Sequence, residues 1–230
     1  IRATLARDAI SIEARLNTQV QAFAASALGS QRVATLEPLH ASFEKLERDA
    51  SLAALPRLAL LARGVTLMLE DLHEHPDEIT ASSFRTLARA VEAIPTLFLQ
   101  RPNQEFEQPS IALVVHAQRG VAPLLAEALR QAGQPAVAFR DTTAALSFVE
   151  DNPVELLVAD LDLAQPAGGD FIRRCQAIPG RAHMPAVLLS NQPPAGTIVP
   201  NFLLAHQVLN YPFTANEVVV GAIVRLVRRA

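Results

Sequence analysis

Asp160 closes a run of buried-type residues, Val-Glu-Leu-Leu-Val-Ala-Asp (154–160), and is the first place to look for chemistry in this chain. Where strands and helices alternate, the carboxyl ends of parallel strands are where open sheets gather their functional groups. A carboxylate there can accept a transferred group or help to hold a cation. His116 follows another apolar run, Ile-Ala-Leu-Val-Val (111–115), and is placed to face Asp160. One imidazole and one carboxylate are too few ligands for a metal, so His116 reads as a polar residue at a pocket mouth. His40 lies deep within a helical stretch and reads most plainly as a helix-surface histidine. His73 and His75 fall at a helix end, where partial negative charge favours them. The same reasoning covers Arg225, Arg228 and Arg229 as a solvated helix end. Cys175 is the only cysteine, which excludes an intramolecular disulfide and a cysteine-rich zinc site. There is no Gly-x-Gly-x-x-Gly and no Gly-Lys-Ser/Thr, so nothing supports nucleotide binding. No nucleophile–base pair or metal cluster emerges at readable spacing, so an enzyme with its own substrate is not expected.

The elements that must position these groups come in two periods. Residues 1–100 repeat apolar residues at helical spacing. The first stripe is Leu5, Ala9, Ile12, Leu16, Val20, Phe23 and Ala27, with Gly29-Ser30 as a stop. The second is Val33, Leu36, Leu39, Phe43, Leu46 and Ala50. The third runs from Leu52 through Leu55, Leu58, Ala62, Val65, Leu69 and Leu72, with Pro56 in its first turns. Thr80 can cap a fourth helix, with Ile79 and Phe84 as a hydrophobic staple; Pro95 is expected to kink or end it. Four amphipathic helices with short connections predict an antiparallel bundle.

Residues 101–110 are polar with two prolines and read as a linker. Beyond them short apolar runs at 111–115, 135–139, 154–159, 185–189 and 207–209 alternate with helical segments near 121–132, 142–151, 168–177, 195–205 and 214–229. That alternation predicts an α/β fold, a doubly wound five-stranded parallel sheet over 111–230, preceded by the all-α bundle.

The chain has 230 residues, half of them hydrophobic (50%), enough for two small cores. Its net charge of −3 gives no bulk pull toward nucleic acid or an anionic membrane. No apolar run reaches the length of a membrane span and no signal peptide is visible, so a cytoplasmic location is expected. The chain starts at Ile1, as a trimmed piece of a longer protein would.

Residues 109–230 resemble the receiver domain of two-component response regulators. In that family an aspartate at the end of the third strand accepts a phosphoryl group, and Asp160 holds that position. Pro166 and Gly168 follow in a short loop, close to the family pattern. The resemblance implies a hydroxyl at the end of the fourth strand, and Ser190 supplies it. It implies Lys-Pro-Phe at the end of the fifth; this chain has Tyr211-Pro212-Phe213. It implies two acidic residues after the first strand to help hold magnesium; this chain has His116-Ala117. It implies an aromatic switch residue where Val208 stands. The family's Lys-Pro bond is cis, so the Tyr211-Pro212 bond is expected to be cis. The phenol would then reach toward Asp160 or Ser190, with Phe213 turned inward. Residues 1–100 resemble, more faintly, a histidine phosphotransfer (HPt) bundle: Leu60-Leu61-Ala62-Arg63-Gly64 has the spacing of that family's motif, with leucine in place of histidine. His40 is followed by Phe43 and Glu44 where that motif has lysine and glycine.

The expected function is signal transduction by protein–protein contact through an atypical receiver, or pseudo-receiver, with inefficient phosphorylation. The pocket would comprise Asp160, His116, Ala117, Ser190, Tyr211 and Pro212, without cofactor and with magnesium weak or absent. Partners would be signalling proteins such as a histidine kinase, a phosphotransfer protein or an output protein, with a homodimer through the helical half. Two alternatives stand beside this: a response regulator phosphorylated on Asp160, and a phosphorelay protein using His40.

Overall fold

The computed structural model describes residues 2–26, 30–99, 111–163, 167–191 and 207–227. The linker expected at 101–110, the weak helix near 195–205, and Ala27, Gly29, Pro166, Arg228 and Arg229 lie outside the described residues. The described residues form two compact units, one on each side of residues 101–110.

The first unit is a bundle of four helices: α1 (Arg2–Ala25), α2 (Ser30–Leu52), α3 (Pro56–Glu74) and α4 (Ala81–Leu99). Each packs on two others, α1 against α2 and α4, α3 against α2 and α4. The stripes meet inside, where Leu16, Phe23, Leu39, Phe43, Leu61 and Ile94 are fully buried. The boundary of the third stripe differs from the expected one. Leu52 ends α2 and is exposed, and a turn through Ala54 at φ 54° separates it from α3. Pro56 is the first residue of α3, where its missing N–H has no intrahelical partner to lose. Thr80 caps α4 as expected: its Oγ accepts the Ser82 N–H at 3.1 Å, and Ser83 Oγ accepts the Thr80 N–H at 3.1 Å. Pro95 does not end α4, which continues to Leu99. An interior proline costs about 3 kcal/mol, but Val91, Ile94, Leu97 and Phe98 are all buried around it. Helical stability comes mostly from such packing. The stripes are consumed within this core. Among the described residues of the bundle, only Ile10 and Leu52 are large exposed hydrophobics.

The second unit alternates β1 (Ile111–Val115), α5 (Val121–Gln131), β2 (Ala136–Phe139), α6 (Thr142–Asp151), β3 (Val154–Asp160), α7 (Gly168–Ala177), β4 (Ala186–Ser190), β5 (Gln207–Asn210) and α8 (Ala215–Val227). The strands pair in parallel in the order β2-β1-β3-β4-β5. This is the flavodoxin-like doubly wound order, whose strand order reverses between β1 and β3. Helices α6 and α7 pack on each other and on one face of the sheet, and α5 and α8 do the same on the other. Residues of β1, β3 and β4 such as Leu113, Val158 and Leu188 are fully buried, as a sheet covered on both faces requires. Local capping fixes the helix starts. The Asp141 carboxylate accepts the N–H groups of Thr143 and Ala144, and Thr214 and Glu217 bond each other's backbone N–H as a capping box. Among the described residues, no helix is long and apolar enough to cross a membrane.

Candidate functional site

The reversal of strand order between β1 and β3 opens a crevice at the carboxyl ends of those strands. The residue following β1 is His116 and the last residue of β3 is Asp160. Both are buried, and His116 Nδ1 lies 3.5 Å from Asp160 Oδ2. Register puts Asp160 beside Leu189 of β4, and Ser190 beside Asn210 of β5. Tyr211 follows at once and is anchored by its N–H to the carbonyl of Ser190 at 3.0 Å. Parallel pairing alone therefore gathers His116, Asp160, Ser190 and Tyr211, from four different strands, at one end of the sheet.

The Tyr211-Pro212 bond is cis, as the sequence led us to expect. The phenol's partner is a different one. Tyr211 Oη is 2.8 Å from His116 Nε2. The rings of His116 and Tyr211 meet edge-on, with centroids 6.5 Å apart. Phe213 is half-buried and stacks on Tyr211 at 4.1 Å. Pro212 and Ala117 are both exposed. Val208 is half-buried and packs against the α6–α7 side of the core, as a plain apolar residue does.

The hydrogen bonds assign the histidine tautomer. Gln118 N–H donates to His116 Nδ1 at 3.1 Å, so Nδ1 is unprotonated and Nε2–H donates to the phenol. Burial pushes the His116 pKa below the ordinary histidine value, against the pull of Asp160 and Asp162, which raise it. Burial, then Asp160 and Asp162, push the Tyr211 phenol up. Both groups are therefore neutral at neutral pH. Asp160 Oδ1 accepts the N–H of Asp162 at 2.9 Å. Asp162 is exposed and accepts a bond from Asn191 Nδ2 at 3.2 Å. Sequence reasoning missed Asp162 and Gln118. The available signal was a second acid two residues past the strand-end acid, and an N–H two residues past a strand-end histidine.

Gly168 opens α7 directly against the end of β3. A Cβ built on it would collide with the carbonyl of Asp160 and crowd Leu161 Cα at 2.9 Å. Only glycine lets the helix come this close, and the approach holds the strand end in place.

Magnesium, which the family resemblance implies, demands octahedral oxygen ligands and usually one or more carboxylates. This chain presents an imidazole after β1, and one oxygen of Asp160 is already occupied by a backbone N–H. Among the described residues, no three His, Cys, Asp or Glu side chains converge to hold a metal. The donor set does not fit magnesium.

Comparison with known proteins finds solved structures of similar fold. The first is a sensor protein from Polaromonas sp. JS666, at 21% identity and TM-score 0.48, matching 54% of this chain and 100% of that one. The receiver domain of the Francisella response regulator 1452 matches 52% of this chain and 98% of its own, at 19% identity and TM-score 0.44. The signal receiver domain of an HD domain-containing protein from Pseudomonas fluorescens Pf-5 matches 53% and 98%, at 20% identity and TM-score 0.47. These are likenesses of fold over about half the chain, and none of their chemistry is carried over by them. No protein-family model and no curated protein matches this chain.

The remaining candidates sit elsewhere. His40, on α2, is partly exposed and places Nε2 3.3 Å from Glu70 Oε1 on α3. That is an interhelical polar contact within the bundle. His75 closes α3 beside Asp71, with Nδ1 3.5 Å from its carboxylate. Cys175 is buried in the core under α7, and burial pushes its thiol up to about 12, so it is an inert packing group.

Proposed function

We propose that the second unit is a receiver-type signalling module that acts by binding another signalling protein, with little or no phosphorylation of Asp160 and no substrate turnover of its own. The observation that carries this reading is the His116–Tyr211 hydrogen bond beside Asp160. An imidazole stands where the family's magnesium carboxylates would be, and a phenol where its lysine would be. Phosphoryl transfer is catalysed almost entirely by positioning and by charge stabilisation around the moving group. A neutral imidazole–phenol pair supplies neither a cation nor a metal seat. Ser190 remains as a buried hydroxyl at the end of β4, and the ends of β1, β3, β4 and β5 remain as a shaped surface.

The partner in this reading is a histidine kinase, a phosphotransfer protein or an output protein, met through the sheet end or its adjoining helices. The helical unit serves as the second half of the same signalling chain, and a self-association through it would be detected by light scattering.

Incubation of the full chain with acetyl phosphate or beryllofluoride and magnesium tests the proposal. Intact mass and fluorine NMR are expected to show no adduct at Asp160. Near-stoichiometric modification there would overturn the reading and make the chain a phosphorylatable response regulator. Transfer from a histidine kinase to His40 would move the function to the helical unit.

A further inference from the structure

His116 Nδ1 has two groups competing for it. The N–H of Gln118, in the loop from β1 to α5, donates to it at 3.1 Å. The Asp160 carboxylate, at the end of β3, lies 3.5 Å away on the same nitrogen. While the ring is neutral, Nδ1 is an acceptor and faces the carboxylate oxygen with no proton between them. Nε2–H is meanwhile committed to the Tyr211 phenol. The only free proton-binding position on the ring is therefore Nδ1, and filling it reverses that atom's role from acceptor to donor.

We propose that His116 is a proton-operated latch: a proton taken from solvent onto Nδ1 transfers that nitrogen's hydrogen bond from Gln118 N–H to the Asp160 carboxylate and releases the loop between β1 and α5. This rests on the reading above that the pocket has exchanged phosphoryl chemistry for an imidazole–phenol pair, and it names the input such a pocket can still receive. In the neutral state the loop is tied to the sheet through Gln118 and continues to Gly120, whose φ of 86° caps α5. In the charged state Nδ1–H and the Gln118 N–H are both donors and repel. Asp160 gains a charge-assisted bond, keeps its Oδ1 bond to Asp162 N–H, and the Nε2–H bond to Tyr211 is unchanged. One proton thus redirects the start of α5 without displacing the rest of the site.

The charged and titratable groups bearing on the imidazole are Asp160 from β3, Asp162 from the loop after it, and Tyr211 from the loop after β5. The two carboxylates favour the imidazolium and burial opposes it, with burial the larger. The folded chain therefore holds this proton less readily than the unfolded chain. Stability supplied by the neutral ring is fully present above the unfolded value of about 6.5 and is lost as pH falls below it. The latch opens on the acid side of neutrality.

Nitrogen NMR of the full chain with labelled histidine, together with its assigned backbone amides, reads this directly. At neutral pH His116 is expected as the Nε2–H tautomer. On acidification Nδ1 is expected to protonate with a midpoint below about 6.5, and the Gln118 amide to shift with the same midpoint. Asp162→Asn, at an exposed position, is expected to lower the midpoint, and Asp160→Asn to lower it further. A ring that stays neutral until the chain unfolds would overturn the latch. So would a ring already charged at neutral pH, a Gln118 amide that does not follow it, or a midpoint unmoved by both variants. Adduct formation at Asp160 with a Gln118 amide that does follow would leave the latch standing and sink the pseudo-receiver reading alone.

Discussion

Tyr211 holds the buried imidazole of His116 by one bond of 2.8 Å, and that bond is the simplest part of the site to remove. In Tyr211→Phe the ring stack on Phe213 can persist, so the loss falls on the hydroxyl. It leaves the Nε2–H of a buried histidine without its acceptor. An unsatisfied buried donor costs about 1–3 kcal/mol, and because Tyr211 is only half-buried the lower end applies. Urea unfolding is expected to show a loss of about 1 kcal/mol with an unchanged slope. No measurable loss would mean that the phenol adds nothing to the site. At this scale the strand-end residues were legible, while Gln118 and Asp162 were missed and the phenol's partner differs from the expected one. Asp160, Ser190, His116 and Tyr211 each end or follow a strand, which an apolar run reveals. The choice of phenol partner depends on a reach across the sheet end, and no local pattern encodes that. His116 was read as bland because one imidazole cannot hold a metal. Its role instead comes from two hydrogen-bonding neighbours, a backbone N–H and a phenol, that a search for metal ligands ignores.

Elements were legible wherever periodicity and caps agreed. All five strands fall within about one residue of the runs that predicted them, because a sheet buried on both faces demands continuous apolar runs. Thr80 and Pro56 sit at helix starts for the reasons their chemistry gives. The failures are also physical. Leu52 shares a spacing with two stripes and belongs to the earlier helix. Pro95 does not end α4, which is held by the buried residues around it. Gly168 shows what one element can impose on another: β3 and α7 approach so closely that the helix has no room for a side chain. In Gly168→Ala the new Cβ meets backbone, which cannot rotate away, so α7 must shift. Overpacking of this kind costs about 1–3 kcal/mol. The variant is expected to unfold at correspondingly lower denaturant and to perturb the amides of Asp160 and Leu161. Wild-type stability in this variant would show that α7 has slack against the strand.

Two hydrophobic periods in one chain imply two cores, and the described residues divide accordingly into a bundle and an α/β unit. The bundle buries its stripes in itself, with Leu39, Leu61, Leu87 and Phe23 all fully enclosed. The sheet unit buries β1, β3 and β4 between two helical layers of its own. Each has roughly the size at which a domain can fold alone. Residues 1–100 and residues 111–230, expressed separately, are therefore each expected to show a single cooperative thermal transition. The bundle should show strong helical circular dichroism, and the sheet unit should keep the His116–Gln118 amide signature of the full chain. The bundle is also expected to refold faster, since its contacts are local while parallel pairing of β1 with β3 must first close a long loop. One feature of the sheet unit bears on this. α8 is apolar from Val218 to Val224 and buried there, so its unit depends on keeping that stretch covered. If residues 111–230 melt without cooperativity or aggregate while residues 1–100 fold, the sheet unit needs the rest of the chain, and the two periods describe one folding unit rather than two.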